Sequence, residues 1–261
     1  MRLEITLKPK FKNYIIPVNY NYPISSAIYK TFAKSGPNFA RWLHTRGFTL
    51  DGSKRFKFFT FSRLYFQEKQ IKDNTIIASG NCRLLFSSPI DESIITNFVE
   101  GLLSDNIIFI GNNMAGMEFK IANVSIKPYP NFKRIMTYKM LSQTVLTRKN
   151  ENNKIRYITP IDEDVEMSLI KNILNKYEIM YREKYDEICN ITISKEYIEK
   201  KGNKIEKLVK IKEATKDEAT IRGFLIPLTI EATPQMQKLI YDAGLGEKNS
   251  LGFGMVEVST L

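Results

Sequence analysis

The chain has 261 residues and a formal net charge of +11, with a sequence pI near 9.4. Hydrophobic content of 43% and aromatic content of 11% are enough for real cores and exclude a disordered tail. Length allows one large domain or two ordinary ones, and the charge favours a polyanionic partner. Cys82 and Cys189 are too few and too far apart for a disulfide framework or a zinc site, and read as small core residues. No leader pattern opens the chain and no long apolar run occurs, so a soluble, cytoplasmic protein is expected.

In chain order, Arg2 to Leu7 alternates polar and apolar residues and predicts a strand. Lys12 to Tyr22, interrupted by Pro17, predicts an extended edge segment. Pro23 opens a helix with Ile24, Ala27, Ile28, Thr31 and Phe32 on one face, broken by Gly36 and Pro37. A short helix follows from Asn38, as N-cap, to Arg46, stopped by Gly47, with Phe39, Trp42 and Leu43 as its apolar side. At about 100° per residue His44, the only histidine, lies off that side. Arg41 and Arg46 bracket it and would draw a phosphate to it.

Arg55 to Phe66 predicts an aromatic strand packed in the core. Strands at Thr75 to Phe86 and Glu118 to Ile126 flank a helix from Glu92 to Leu103. The order is strand, helix, strand, strand, helix, strand: the ferredoxin-like pattern. Lys127 to Lys133, carrying Pro128 and Pro130, marks the boundary. A second round then runs through strand Ile135 to Leu146, a long helix Asp162 to Tyr185, and strands at Ile188 to Ile193, about Lys204 to Lys212, and Thr220 to Ile230. Pro234 opens a last helix that ends at Gly244. The expected fold is therefore α+β: two tandem ferredoxin-like domains of the RNA-recognition type, residues 1–127 and 134–261, each an antiparallel sheet with helices on one face.

Between Lys195 and Lys216 lie eight lysines. On an extended strand Lys204, Lys210 and Lys212 share one face, which suits either a solvated edge strand or a binding hairpin. The stretch Ala243 to Val258 then places Gly244, Gly246, Gly252 and Gly254 in the spacing G-x-G-x5-G-x-G, with Lys248, Asn249 and Ser250 inside. Glycines permit positive φ, and successive free amides form a concave anion site that would suit a phosphodiester. A helix cap followed by a bulged strand is the other reading of that spacing. A mononucleotide P-loop is excluded because Lys248 has Glu247 before it and Asn249 after it, not the Gly-Lys-Ser/Thr order, and a dinucleotide fingerprint because no βαβ unit follows.

The paired-glycine loop with a lysine inside, set before a last strand, resembles the CRISPR-associated repeat-processing endoribonucleases, of the repeat-associated RNA-binding superfamily. That resemblance implies metal-independent cleavage of repeat transcripts into guide RNAs, or, as the alternative, a non-catalytic RNA-binding subunit of a CRISPR complex. It implies a catalytic histidine near His44, with a tyrosine of the preceding helix, Tyr29, as partner. A basic residue completes such sites: Lys54 is the choice, with Arg55 and Lys57 as rivals. It also implies RNA contacts from the glycine loop and from the hairpin of Lys204, Lys210 and Lys212, with Arg41 and Arg46 adding charge near the histidine. RNA is the implied partner, other CRISPR-complex subunits and a second copy of the chain stay open, and no cofactor, metal or membrane is called for. The chemistry follows from RNA itself, whose 2′-hydroxyl can attack the adjacent phosphorus and leave a 2′,3′-cyclic phosphate and a 5′-hydroxyl. Histidine suits either proton transfer near neutral pH, tyrosine an acid or orienting role, and lysine the charge of the phosphorane.

Overall fold

Strand β1 (Arg2–Pro9) turns Leu3, Ile5 and Leu7 into one core, as its alternation requires. The computed structural model describes residues 1–50 and 54–259. After β1 come β2 (Asn13–Pro17), helices α1 (Asn21–Ser35) and α2 (Pro37–Thr45), then β3 (Thr60–Phe61), β4 (Tyr65–Lys72) and β5 (Thr75–Ser87). Helix α3 (Glu92–Asp105) and the hairpin β6 (Ile107–Gly111) and β7 (Gly116–Lys127) finish the first unit. Its sheet runs β2-β5-β1-β7-β6, with β3 and β4 also on β5, and the neighbours are antiparallel. β2 and β4 both pair the segment Thr75 to Ser79, so they occupy opposite edges of β5, and β2 extends the line of β1. The order β4-β5-β1-β7 with α1 and α3 between is the ferredoxin-like arrangement. Helices α1 and α3 share a face, where Phe32 and Phe98 meet at 4.7 Å and Phe98 stacks on Phe86 at 4.6 Å.

The second unit repeats the plan: β8 (Ile135–Met140), the small hairpin β9 (Thr147–Lys149) and β10 (Ile155–Tyr157), α4 (Val165–Tyr181) and β11 (Asn190–Ile193). Helix α5 (Lys195–Lys201), a 3-10 turn at Gly202–Ile205 and the hairpin β12 (Glu206–Ile211) and β13 (Ala219–Phe224) are inserted before β14 (Leu228–Glu231). Then follow α6 (Pro234–Ala243), the glycine loop with a 3-10 turn at Asn249–Leu251, and β15 (Val256–Val258). The sheet order is β11-β14-β8-β15, the same topology as the first. Its core is Tyr138, Leu169, Ile173, Ile230, Leu239 and Ile240, with α4 packed beside α6. Leu85, Leu141 and Met255 form a small apolar contact between the units. Arg2, wholly buried, bolts them together: its guanidinium lies 3.4 Å from the Tyr241 ring centre and donates to the Tyr241 carbonyl at 2.5 Å and Glu257 at 3.2 Å.

Several expected elements differ in extent. Arg55 to Phe66 is not one strand: only Thr60–Phe61 pairs before β4 begins at Tyr65. Phe58 sits at φ 49°, which breaks a ladder, and turns into the second core while Phe59 and Phe61 fill the first. Helix α2 starts at Pro37 rather than from an Asn38 cap, because proline suits the first helical position and Gly36 serves as N-cap. Gly47, at φ 66°, stops it as expected. The long stretches Ile135 to Leu146 and Thr220 to Ile230 are each shorter strands with irregular backbone beyond. Cys82 is buried, Cys189 half-buried, and both thiols are free. No helix of the described residues is long and apolar enough to cross a membrane.

Candidate active site

Helix α2 turns Ala40 and Leu43 inward, which leaves His44 exposed on the flank facing α1. There its ring meets Tyr29 edge-to-face, with centroids 5.2 Å apart and planes at 82°. Tyr29 is half-buried and also packs on Phe59 at 5.5 Å. Burial pushes its phenol up to about 12, and a side-chain hydrogen bond with Ser250 pulls the other way. Tyr29 therefore stays protonated at neutral pH and can donate a hydrogen bond or orient His44, but cannot act as a base.

The three candidates for the basic position line one groove and differ in what they already hold. Lys57 donates to the carbonyls of Leu43 and, at 2.7 Å, of His44, and Arg55 reaches the Thr45 carbonyl at 3.3 Å. Both thus satisfy open carbonyls at the C-terminus of α2, where cations are favoured. Burial first, then Arg55, pushes Lys57 below the usual lysine range. They hold the helix end that carries His44. Lys54 is exposed and faces a groove.

The glycine loop arrives at the same place from the second unit. All four glycines are buried and have φ between 66° and 78°. A Cβ on Gly254 would stand 1.8 Å from the Leu245 carbonyl oxygen, and one on Gly246 2.4 Å from that of Val145. One on Gly252 would stand 2.2 Å from the Phe61 ring. These glycines are therefore required by close approach, across the loop and across the two units. Part of the loop's backbone is turned inward. The amides of Leu245, Glu247, Leu251, Gly252 and Gly254 all donate to protein carbonyls at 2.7–2.9 Å. What it offers outward is the Lys248 side chain, at φ 57°, and the half-buried Ser250. Asn249, also expected to touch RNA, is buried and works inside: its amide donates to the Leu245 and Phe253 carbonyls at 2.9 and 3.0 Å. Asn21 on α1 and Thr60 on β3 then tie the loop to the first unit through the Leu251 and Phe253 carbonyls, each at 2.9 Å.

One residue here was not singled out from the sequence. Lys176 of α4 is 2% exposed and donates to the Gly244 carbonyl at 2.6 Å and to the Asn249 Oδ1 at 2.8 Å. Burial pushes it down to about 7, with Glu247 opposing. Its signal lay in the spacing Leu169, Ile173, Lys176, which puts a lysine on the buried stripe of an amphipathic helix. For this anchored loop, Gly254→Val is expected to cost about 2–6 kcal/mol, combining left-handed strain with overpacking. Gly202→Ala, also at positive φ but with nothing within 4 Å, provides the control for backbone strain without overpacking and should cost about 1–3 kcal/mol. Denaturant melts of both variants check the difference; equal, small losses would mean the loop is free to rearrange.

Beside Ser250 opens a groove of about 950 Å³. Lys54, Lys57, Lys248, Arg148, Lys149 and Lys171 line it, the last three also unforeseen. Its two acids are already engaged, Asp164 with Arg148 at 2.6 Å and Glu247 with the Thr147 amide and hydroxyl at 3.1 and 2.8 Å. The groove is therefore strongly positive, and two of its lining residues touch the pair: Ser250 hydrogen-bonds Tyr29 and Lys57 donates to the His44 carbonyl. Arg41 and Arg46 are exposed on the helix end around the histidine. Among the described residues, no group of three or more His, Cys, Asp or Glu side chains is placed to hold a metal.

The basic hairpin is real, but its lysines do not share one strand face. Lys204 lies in the 3-10 turn before β12, because Ile205 turns into the core there, and Lys212 sits past β12 at φ 50°. Lys210 pairs with Glu218 at 3.2 Å and Lys212 with Asp217 at 3.3 Å. Such exposed pairs are worth about 0–1 kcal/mol, so a phosphate can replace either carboxylate.

Two ferredoxin-like units joined by a glycine loop, with a tyrosine–histidine pair above a basic groove, define a class of two-domain α+β proteins. Residues 15–125 match the family model "CRISPR-associated protein Cas6, N-terminal", and residues 126–258 match "CRISPR associated protein Cas6, C-terminal". The chain is 30% identical over 259 residues to the CRISPR-associated endoribonuclease Cas6 1 of Methanocaldococcus jannaschii, covering 98% of this chain and 92% of that protein. A solved structure described as a RAMP protein binding different RNA substrates matches with TM-score 0.79 and 26% identity, over 100% of both chains. Another, described as CRISPR associated protein Cas6, matches with TM-score 0.75 and 29% identity, over 100% of this chain and 99% of that one. This chain belongs to the Cas6 family.

Proposed function

We propose that the protein is a metal-independent endoribonuclease that cuts CRISPR repeat precursor RNA into guide RNAs. The observation that carries the reading is the Tyr29–His44 contact, joined to the basic groove through Ser250 and Lys57. The relative named as an endoribonuclease and the neighbour titled as binding RNA substrates support it. Residues 1–127 form the catalytic domain and 134–261 the domain that grips RNA. The 2′-hydroxyl oxygen attacks the adjacent phosphorus in line and loses its proton as the new P–O bond forms. The P–O5′ bond then breaks and the 5′ oxygen takes up a proton. His44, exposed at the end of α2, performs one of these transfers. Tyr29 orients His44 or donates to a phosphate oxygen, and Lys54 and Lys248 neutralise the phosphorane. The loop glycines shape this end of the groove.

Cleavage is expected to continue in excess chelator and to leave 2′,3′-cyclic phosphate and 5′-hydroxyl ends, measured by end-group analysis of the products. A strict Mg²⁺ requirement for the chemical step, with products ending in 3′-hydroxyls, would contradict the mechanism.

A further inference from the structure

Helix α1 turns a second face to a cavity. Tyr29 points to His44, whereas Ser26, Lys30 and Lys34, about 60° to 140° around the helix, line a separate cavity of about 440 Å³. The β6–β7 hairpin closes one side of it and the tip of the β12–β13 hairpin the other. The walls are held in place. Asn19 accepts from the Lys210 amide at 3.0 Å and donates to Glu213 at 3.2 Å, which ties the hairpin tip to the first unit. On the opposite wall, Asn112 accepts from the amides of Met114 and Ala115 at 2.9 and 3.1 Å and fixes the β6–β7 turn.

Phe109 of β6 is 54% exposed in this cavity, though it is a large aromatic. One side of its ring lies against Gly111 and Gly116, where a Cβ would come within 2.8 and 2.4 Å of it. The ring is therefore seated at little entropic cost and its other side is open. Tyr22, 38% exposed, has the Lys212 ammonium 5.9 Å from its ring centre. Aromatic surface beside Lys30 and Lys212, with asparagine amides nearby, matches the parts of a nucleotide: base, phosphate and base edge. The size suits one such group and not a duplex.

We propose that this cavity is a subsite for a single unpaired nucleotide of the RNA, its base on Phe109 and Tyr22 and its phosphates on Lys30 and Lys212. The inference rests on RNA being the ligand but not on His44 being catalytic. It lies along α1 from the cleavage site, so one strand can engage both. Its part is to hold the substrate, not to cut it.

The test uses the full chain and a labelled single-stranded repeat RNA made uncleavable by one 2′-deoxy nucleotide at the scissile position. Base–aromatic stacking predicts that Phe109→Ala weakens binding by about 5- to 150-fold. Lys30→Ala should lower the slope of log affinity against log salt by about 0.7, one single-strand phosphate contact. Single-turnover cleavage of all-RNA substrate at saturating protein should be unchanged in both variants. Should Phe109→Ala misfold for want of cover over Gly111 and Gly116, Lys30→Ala and Lys30→Glu, on an exposed helix face, still decide the matter. Wild-type affinity and salt slope in the Lys30 variants would overturn the proposal and leave the cavity to a partner other than RNA. Loss of affinity in these variants from a protein that cuts no RNA would uphold the subsite and refute the cleavage reading alone.

Discussion

His44→Ala is expected to slow single-turnover cleavage by about 10²- to 10⁴-fold while RNA affinity stays near wild type. The ring is exposed and its packing partner in the structure is Tyr29, so the fold should barely register the change. Losing one edge-to-face contact costs about 0.5–1.5 kcal/mol, small beside the stability of a two-core protein. On the proposed reading RNA affinity rests mainly on other residues, among them the lysines and arginines that line the groove. Removing the histidine therefore separates chemistry from binding. Full activity in this variant would take His44 out of the mechanism and leave the non-catalytic RNA-binding role.

The same separation explains what was legible in the sequence. Gly244, Gly246, Gly252 and Gly254 could be read as indispensable because positive φ leaves a mark in residue type. Where their partners lay could not be read. Gly252 faces Phe61 and Gly246 faces Val145, contacts that span about two hundred and one hundred residues of chain, and no local pattern records them. The inward turn of the Glu247 and Gly254 amides, onto the carbonyls of Val145 and Gln143, could not be read for the same reason. Tyr29 and His44 were legible because each sits on an amphipathic helix whose apolar side is plain, so the remaining side had to carry them. Their meeting was given by family resemblance, not by spacing.

Missed elements share another cause. Strand β4 has no buried residue, so Glu68, Lys69, Gln70 and Lys72 show none of the alternation that marks a half-buried strand. Its hairpin to β5 was still recorded at Asp73 and Asn74, which turn at φ 47° and 59°. The sequence Gly-Asn-Asn-Met-Ala-Gly at 111–116 recorded the β6–β7 turn in the same way. Lys176 was hidden by the opposite effect. A buried lysine needs acceptors, and these come from Gly244 and Asn249, about seventy residues later.

The most direct measurement replaces one 2′-hydroxyl of the repeat RNA by hydrogen, at the nucleotide just 5′ to the scissile phosphate. That change deletes the nucleophile and leaves every phosphate and base, so affinity should match the all-RNA strand. Cleavage at that phosphate should stop, since His44, Tyr29 and Lys54 can move protons and steady charge but cannot supply the attacking oxygen. The same substitution elsewhere in the strand should be tolerated much better. A hydrolytic nuclease that attacks with water could still cut the modified bond. Should the singly deoxy strand be cut at its usual phosphate, internal attack is wrong, and the roles given to the three residues are wrong with it.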